Sequence, residues 1–552
     1  MIRKYALVAS TSLALLAGCG GGGDININPS TTDNSTNNSN NTTTGTTPTV
    51  DTNPCASYVT SGGQTRQGTF DAPNCTYSPT FVDAGNNLTV DVTFPDLADD
   101  GAHIFEGSLF VGVAANSDAE LAAAGVTQGG DGPTVTIEAG ATLAWQSNAN
   151  FLVINRGSQI FAVGNADAPI TLTSVSDISG DLAVAGPDGA EAVQQWGGVV
   201  INGFGVTNAC SYTGTRGTDL ALDGECHVAS EGSAGLDENF YGGDNDDDSS
   251  GRLEFVVVKH TGATVGNGDE LNGVTFGAVG RNTVVRNLQT YSTFDDGIEM
   301  FGGAVDFENF AAIYVRDDSI DIDEGWIGTI NTALVIQSET DGNHCIESDG
   351  IGSYDDLDPA VITDFIARGL NSNFTISNLT CIISPNGADT ATHDPGAGVR
   401  FREGIEGTVN DLLVISSFGA DSVDNNYCYR PEDAGTDVTV NSGIFACVDQ
   451  FAGDGAAVAP TQDIQFATLT DVTDPTSTAD TGLVLLQIGA DASETAPIFS
   501  VDFASMLVDG AAPTVAAPTD FIGGLSQSVT NPFLGWTFGI FDGSRTQPLW
   551  FE

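Results

Sequence analysis

Asp295-Asp296-Gly297-Ile298-Glu299-Met300-Phe301 is answered downstream by Asp317-Asp318-Ser319-Ile320-Asp321-Ile322-Asp323. Each stretch reads paired Asp, a small residue, an isoleucine, an acid and a second apolar residue. Equivalents of Ile298 fall at Val274, Ile320 and Ile346, about two dozen residues apart, and then, after a longer interval, at Val399 and Val423. Apolar residues alternate around most of them, as in Val274/Phe276, Ile298/Met300, Ile320/Ile322 and Val399/Phe401. Alternation marks a strand with one buried face, and the flanking Gly, Asn and Asp suit turns.

A second column runs beside the first: Val285-Arg286-Asn287-Leu288, Phe307-Glu308-Asn309-Phe310, Ile376-Ser377-Asn378-Leu379 and Val409-Asn410-Asp411-Leu412. The Asn or Asp sits between two apolar positions. It suits a tight left-handed bend, with side chains stacking from coil to coil and bonding to the neighbouring backbone. Self-similarity at twenty-odd residues means a stacked repeat fold. The strand-like pattern excludes helical solenoids, and the leucine and asparagine frame of leucine-rich repeats is absent. A parallel β-helix remains.

The motifs Asn155-Arg156-Gly157-Ser158, Trp196-Gly197-Gly198-Val199-Val200-Ile201-Asn202-Gly203, Tyr241-Gly242-Gly243-Asp244, Asp295-Asp296-Gly297-Ile298-Glu299 and Asp323-Glu324-Gly325-Trp326 carry a resemblance. Over most of residues 80 to 450 the chain resembles the right-handed β-helix, pectate-lyase-like superfamily. More narrowly, it is similar to a group of bacterial β-helix lipoproteins. The implied fold is all-β: a right-handed single-stranded parallel β-helix (solenoid) with capped ends. That superfold hosts lyases, hydrolases, adhesins and passive scaffolds, so the resemblance implies no one activity.

The chain opens with basic Arg3 and Lys4, a short apolar run, and Leu16-Ala17-Gly18-Cys19. This reads as a lipoprotein signal peptide ending at a lipidated Cys19. Gly20 in second place implies the outer membrane of a Gram-negative bacterium, on its periplasmic or its surface side. Residues 20–53 are rich in Gly, Asn, Ser and Thr and should form a disordered tether, reaching on the order of 30 Å. Residues 54–450 should be the β-helix body, and 451–552 the C-terminal coils and cap. Eight further cysteines fall in neighbouring pairs: Cys55–Cys75, Cys210–Cys226, Cys345–Cys381 and Cys428–Cys447. In an exported chain these read as disulfides, with Cys210–Cys226 closing a loop that projects from a coil.

Charge narrows the partners. There are 73 Asp and Glu against 15 Lys and Arg, a formal net charge of −58. Such a field repels nucleic acid and anionic lipid and attracts divalent cations and basic polymers. Loss of the signal would leave Lys259 as the sole lysine.

One step past the reference positions lie Glu299, Asp321, Glu347, Arg400 and Asp424, which alternation points to solvent. Stacked carboxylates about 4.8 Å apart repel by about 1 kcal/mol in water and ~3 kcal/mol at an effective dielectric of about 20. Asp295, Asp296, Glu299, Asp321, Glu347 and Arg400 are the candidates for catalysis, because stacked acids split their pKa values as glycosidic cleavage requires. Asp295-Asp296 is similar to the paired aspartates of the polygalacturonase branch, but that branch's Gly-His-Gly and Arg-x-Lys motifs are missing. Arg400 and Arg402 are the plausible bases for a lyase. Asp244, Asp246 and Asp248 have the alternate spacing of a calcium loop without the Gly and Glu of an EF-hand; Asp321-Ile322-Asp323-Glu324 is a weaker version. His103, His227, His344 and His393 read as isolated turn residues.

The leading expectation is a surface lipoprotein with a non-catalytic binding, adhesion or scaffold role. Its partners would be the membrane through the lipid anchor and a surface polysaccharide or protein. Calcium is the one cofactor expected. The alternatives are a glycan-active hydrolase or lyase using the acidic residues, and a structural surface-layer component.

Overall fold

A computed structural model describes residues 53–126, 130–182, 191–232, 238–264, 270–339, 341–384, 396–416, 427–447 and 449–466. It also describes short pieces of the remainder: 486–487, 499–502, 514–516, 521–524, 531–541, 543–544 and 549. Cys19 and the tether, Val423, Asp424 and His393 lie outside the described residues. The body is a parallel β-helix. A ten-strand sheet stacks short strands, including Val199–Asn202, Val274–Gly277, Ile298–Phe301, Ile320–Asp323, His344–Ser348, Ala397–Phe401 and Tyr427–Pro431. A larger sheet stacks the longer ones, among them Gly251–Lys259, Val284–Tyr291, Asp306–Ile313, Thr329–Ile336, Asn373–Ile383 and Glu406–Ser416. Neighbouring coils pair in parallel throughout these runs.

The reference column is real: Val274, Ile298 and Ile320 pair in succession, and Ile346 pairs with Val399. All are fully buried in one axial core. The column then departs from the expected register. Val399 pairs with Tyr429 and Arg400 with Arg430, because this coil spans 30 residues where the repeat implied 24. The charged column therefore continues in Arg430, not in Asp424.

Asn287, Asn309, Asn378 and Asp411 all adopt left-handed backbone, with φ of 53°, 61°, 59° and 55°. Phe255, Thr332 and Ser442 hold the same bend in other coils. The contact differs from expectation: Asn309 donates to the side chain of Asn287 (3.0 Å), and Asn378 to that of Asn331 (3.1 Å). Side-chain amides stack at the coil spacing and satisfy one another.

Beyond the bend, alternation fails in Phe310-Ala311-Ala312-Ile313 and Ala333-Leu334-Val335-Ile336. Both faces of these segments are buried, as in any strand covered on two sides. The inner face meets the axial core. The outer face forms a second cluster with Val515, Ile522, Phe533, Trp536 and Ile540. The last segment thus runs back along the flank. Ala516 bonds Asp463, Gly524 bonds Thr380, and Phe538 exchanges two hydrogen bonds of 2.7 Å with Gln289. Its described strands, Leu486–Gln487, Phe499–Asp502 and Phe521–Ile522, pair antiparallel. They are a small separate sheet where further coils were expected; Pro and Ala clusters do not supply the alternation that stacking needs.

All four disulfides form in the expected pairs, with Cα separations of 5.4 to 6.1 Å. Two excursions leave the coils. One, residues 204–250, carries the hairpins Tyr212–Thr213/Ala221–Leu222 and Val228–Ala229/Phe240–Tyr241. The other carries helix Pro359–Ala367, started by Asp358 as N-cap and Pro359 in the first turn. Arg368, after this helix, donates to the carbonyls of Tyr212 (2.6 Å) and Gly214 (2.7 Å), joining the two excursions.

The left-handed ladder sets a stability test. Thr332 is β-branched at φ 67°, a conformation that costs non-glycine residues about 1–2 kcal/mol and that Asn relieves. Thr332→Asn should stabilise the protein by about 1 kcal/mol, and Asn309→Val should destabilise it by a similar amount. Urea midpoints at unchanged slope read both.

Candidate functional site

The outward residues of the ten-strand sheet form three columns. The middle one is Thr275, Glu299, Asp321, Glu347, Arg400 and Arg430. Two residues further along each strand come Phe301, Asp323, Asp349 and Arg402. Three residues before the middle column come Asn272, Asp296, Asp318 and His344. Pairing brings Asp321 beside Glu299 and Glu347, as the repeat predicts. It places Asp295 and Asp296 at the edge of the same face.

The repeated Asp has a local structural task. Asn272 Oδ1 accepts the Asp296 amide at 3.2 Å, Asp296 Oδ1 accepts that of Asp318 at 2.9 Å, and Asp318 Oδ1 accepts that of His344 at 2.6 Å. Each side chain ties its coil to the next.

These acids do not face open solvent. Asp296 and Glu299 are 6% exposed and Asp318 3%. Part of the cover is the described portion of the 204–250 excursion, which folds back over the sheet instead of projecting from it. Tyr241 and Thr207 each donate to Glu324 Oε2 at 2.7 Å. Asn202 donates to Asn239 and accepts from Ser230, both at 2.7 Å. Arg216 pairs with Asp246 and reaches the Gly303 carbonyl at 3.0 Å. Glu231 hydrogen-bonds Glu299. Sequence periodicity reports which face of a strand a residue occupies; it is blind to a distant segment folding over that face.

The face is electrostatically divided. Burial, reinforced by like charges, raises Asp295, Asp296, Glu299, Asp318, Asp321 and Asp323 well above the carboxylate range. Asp296, Glu299 and Asp321 have no ion pair among the described residues, and Asp321 Oδ1 is inaccessible and without a hydrogen-bond partner. The other end is basic and paired. Arg400 and Arg402 hold Glu347 at 2.8 and 3.0 Å, Arg402 holds Asp349 at 2.5 Å, and Arg400 and Arg430 hold Glu432 at 2.9 and 2.7 Å. Burial would raise Glu347, but Asp318, His344 and the two arginines bring it to about 2. His344, read from sequence as an isolated turn residue, is buried at the junction. Burial lowers it to about 4, and it contacts Asp318 and Tyr427. Its register with Asp318 was the one signal that could have found it.

Three carboxylates come within ligand reach of one another in several overlapping sets. In Asp296/Glu299/Asp321, Glu270/Asp295/Asp317 and Asp296/Asp317/Asp318 the oxygens lie within 4.8 Å. Among the described residues no such set falls in the Asp244 loop. There Asp246 is bound by Arg216 and accepts the Val206 amide at 3.1 Å, and Asp248 accepts that of Phe204 at 3.0 Å.

Stacked coils paired in parallel, with a polar face on the short-strand sheet, define a parallel β-helix. The chain belongs to the family described as pectate-lyase like beta helix domain, whose model matches residues 111–482. Comparison with curated proteins and with solved structures finds no match.

A pH dependence follows from the acids. Unfolded, they titrate near about 4; folded, their values lie well above that. Their contribution is complete below about 4 and is lost as pH rises toward the folded values. Chelator-treated protein should therefore melt at a lower temperature at pH 8 than at pH 5, as calorimetry at the two pH values would show. Glu347, depressed to about 2, opposes this only in the acid range, where its contribution disappears as pH falls from about 4 toward 2.

Proposed function

We propose that the protein is an exported, lipid-anchored β-helix that binds divalent cations, calcium foremost, on its covered acidic face. Its rigid body serves as a non-catalytic binding or scaffold element at the cell surface. The observation that carries this reading is the set Asp296, Glu299 and Asp321 on adjacent coils, the first two buried and the third partly so, with no ion pair among the described residues. Leaving ionised carboxylates so placed costs several kcal/mol each. They must hold either protons or a cation, and at neutral pH an all-oxygen set suits calcium. Calcium would join neighbouring coils and the excursion above them.

The covering also weighs against glycosidase action. Here the acids lie beneath the described part of the excursion, and a polymer would reach them only if that segment lifted. The anchor rests on Leu16-Ala17-Gly18-Cys19, and the partner class, a polysaccharide or basic protein, rests on the acidic surface.

Saturating calcium should raise the melting temperature at neutral pH by several degrees, in line with about 2.7 kcal/mol at a hundredfold excess over Kd. Glu299→Gln should remove most of that rise. An unchanged melting temperature with calcium and with chelator would overturn the cation reading. Polysaccharide cleavage by the wild type that is abolished in Glu299→Gln would overturn the non-catalytic one. Cys19→Ser should move the protein from the membrane fraction to the soluble one; retention in the membrane would remove the anchor.

A further inference from the structure

Where the acidic half of the face meets the basic half, one ring nitrogen joins two carboxylates. We propose that Asp318, His344 and Glu347 form a second, separate site for a divalent transition cation of the zinc type. His344 Nδ1 lies 2.8 Å from Asp318 Oδ1 and 3.7 Å from Glu347 Oε2, and the three ligand atoms fall within 4.8 Å of one another. Around tetrahedral zinc, with bonds of about 2 Å, ligand atoms sit roughly 3.3 Å apart. Small adjustments bring this trio to that spacing.

Contacts from outside the trio orient its donors. His344 Nε2 is 2.6 Å from the Tyr427 hydroxyl. The residue in register with His344 on the intervening coil is Ala397, whose small side chain lets Tyr427 reach across. With Nε2 donating to Tyr427, Nδ1 presents its lone pair to the carboxylates. Metal-binding histidines are held in this way through the other ring nitrogen. Glu347 is fixed from its far side: Oε1 accepts from Arg400 and Arg402, which leaves Oε2 toward His344. Asp318 is fixed by the His344 amide. Asp318 and Glu347 share a hydrogen bond, and a cation would replace its proton, so that binding releases it.

Ligand chemistry separates this site from the acid column. Imidazole with two carboxylates is a donor set that takes zinc and leaves a fourth position open, whereas all-oxygen sets suit calcium. Glu347 supplies the opening, with 12% of its side chain exposed; Asp318 and His344 are nearly closed off.

The test uses the full exported chain, stripped with chelator and titrated with zinc chloride alone, with bound metal measured after gel filtration. One zinc per chain should bind and persist in excess calcium. Cobalt substitution should give the visible absorption of a four- or five-coordinate ion. His344→Gln should weaken zinc binding about tenfold or more; Asp318→Asn is the second variant, should the first not fold by circular dichroism. No zinc above the blank, or equal zinc in wild type and folded His344→Gln, overturns the proposal. So does zinc that survives His344→Gln but is displaced by calcium and lost in Glu299→Gln, because the ion would then sit in the acid column. Failure here leaves the calcium reading standing, and failure of the calcium reading leaves this one standing.

Discussion

Every coil lies about 4.8 Å above the last, and strand pairing fixes which residue lies over which. A side chain in this protein therefore stands beside its own equivalents. Where the equivalents are apolar, as with Val274, Ile298 and Ile320, the result is a continuous core. Where they are amides at a left-handed bend, as with Asn287 and Asn309, the result is a ladder. Where they are acids, stacking places like charges together, and the architecture of the face answers that difficulty.

Three answers occur on one sheet. Asp296 and Asp318 turn an oxygen to the next coil's amide, so the repeated acid becomes a tie between coils. Glu347, Asp349 and Glu432 meet Arg400, Arg402 and Arg430 at the other end of the face. Asp296, Glu299 and Asp321 make no ion pair among the described residues, and the excursion brings Glu231 against Glu299. Covering them sharpens the need for a proton or a cation, which is why this part of the face carries the functional reading. The junction between the acidic and basic answers is where His344 sits, held between Asp318 and Tyr427.

The family defines a scaffold on which many activities have been placed, so function has to be argued from the face itself. On that face the burial of the carboxylates and the latch of Arg216 and Arg368 between the two excursions favour holding an ion over cutting a polymer. The last segment adds to this rigidity. It lies across the outer faces of coils from Ser442 back to Tyr291 and buries apolar runs that would otherwise form an exposed stripe.

Much of this was legible in the order of residues. Short-range alternation and a fixed period require only local geometry, so the coil, the strand positions of Ile298 and Ile320, the Asn bends and the neighbouring cysteine pairs all follow from sequence. The neighbours of Glu299 along the column were legible for the same reason. Register was lost where coil length changed, and Arg430 took the place assigned to Asp424. The helix Pro359–Ala367 was missed although Asp358 and Pro359 announce its start. Burial of the acids, the role of His344 and the path of the tail depend on contacts between residues far apart in the chain, such as Glu231 with Glu299, His344 with Tyr427 and Gln289 with Phe538. By itself the sequence determined a parallel coil bearing a column of acids, because a period constrains each residue through its nearest repeats. Only the tertiary structure decided that the column is covered, because long-range closure leaves no periodic trace.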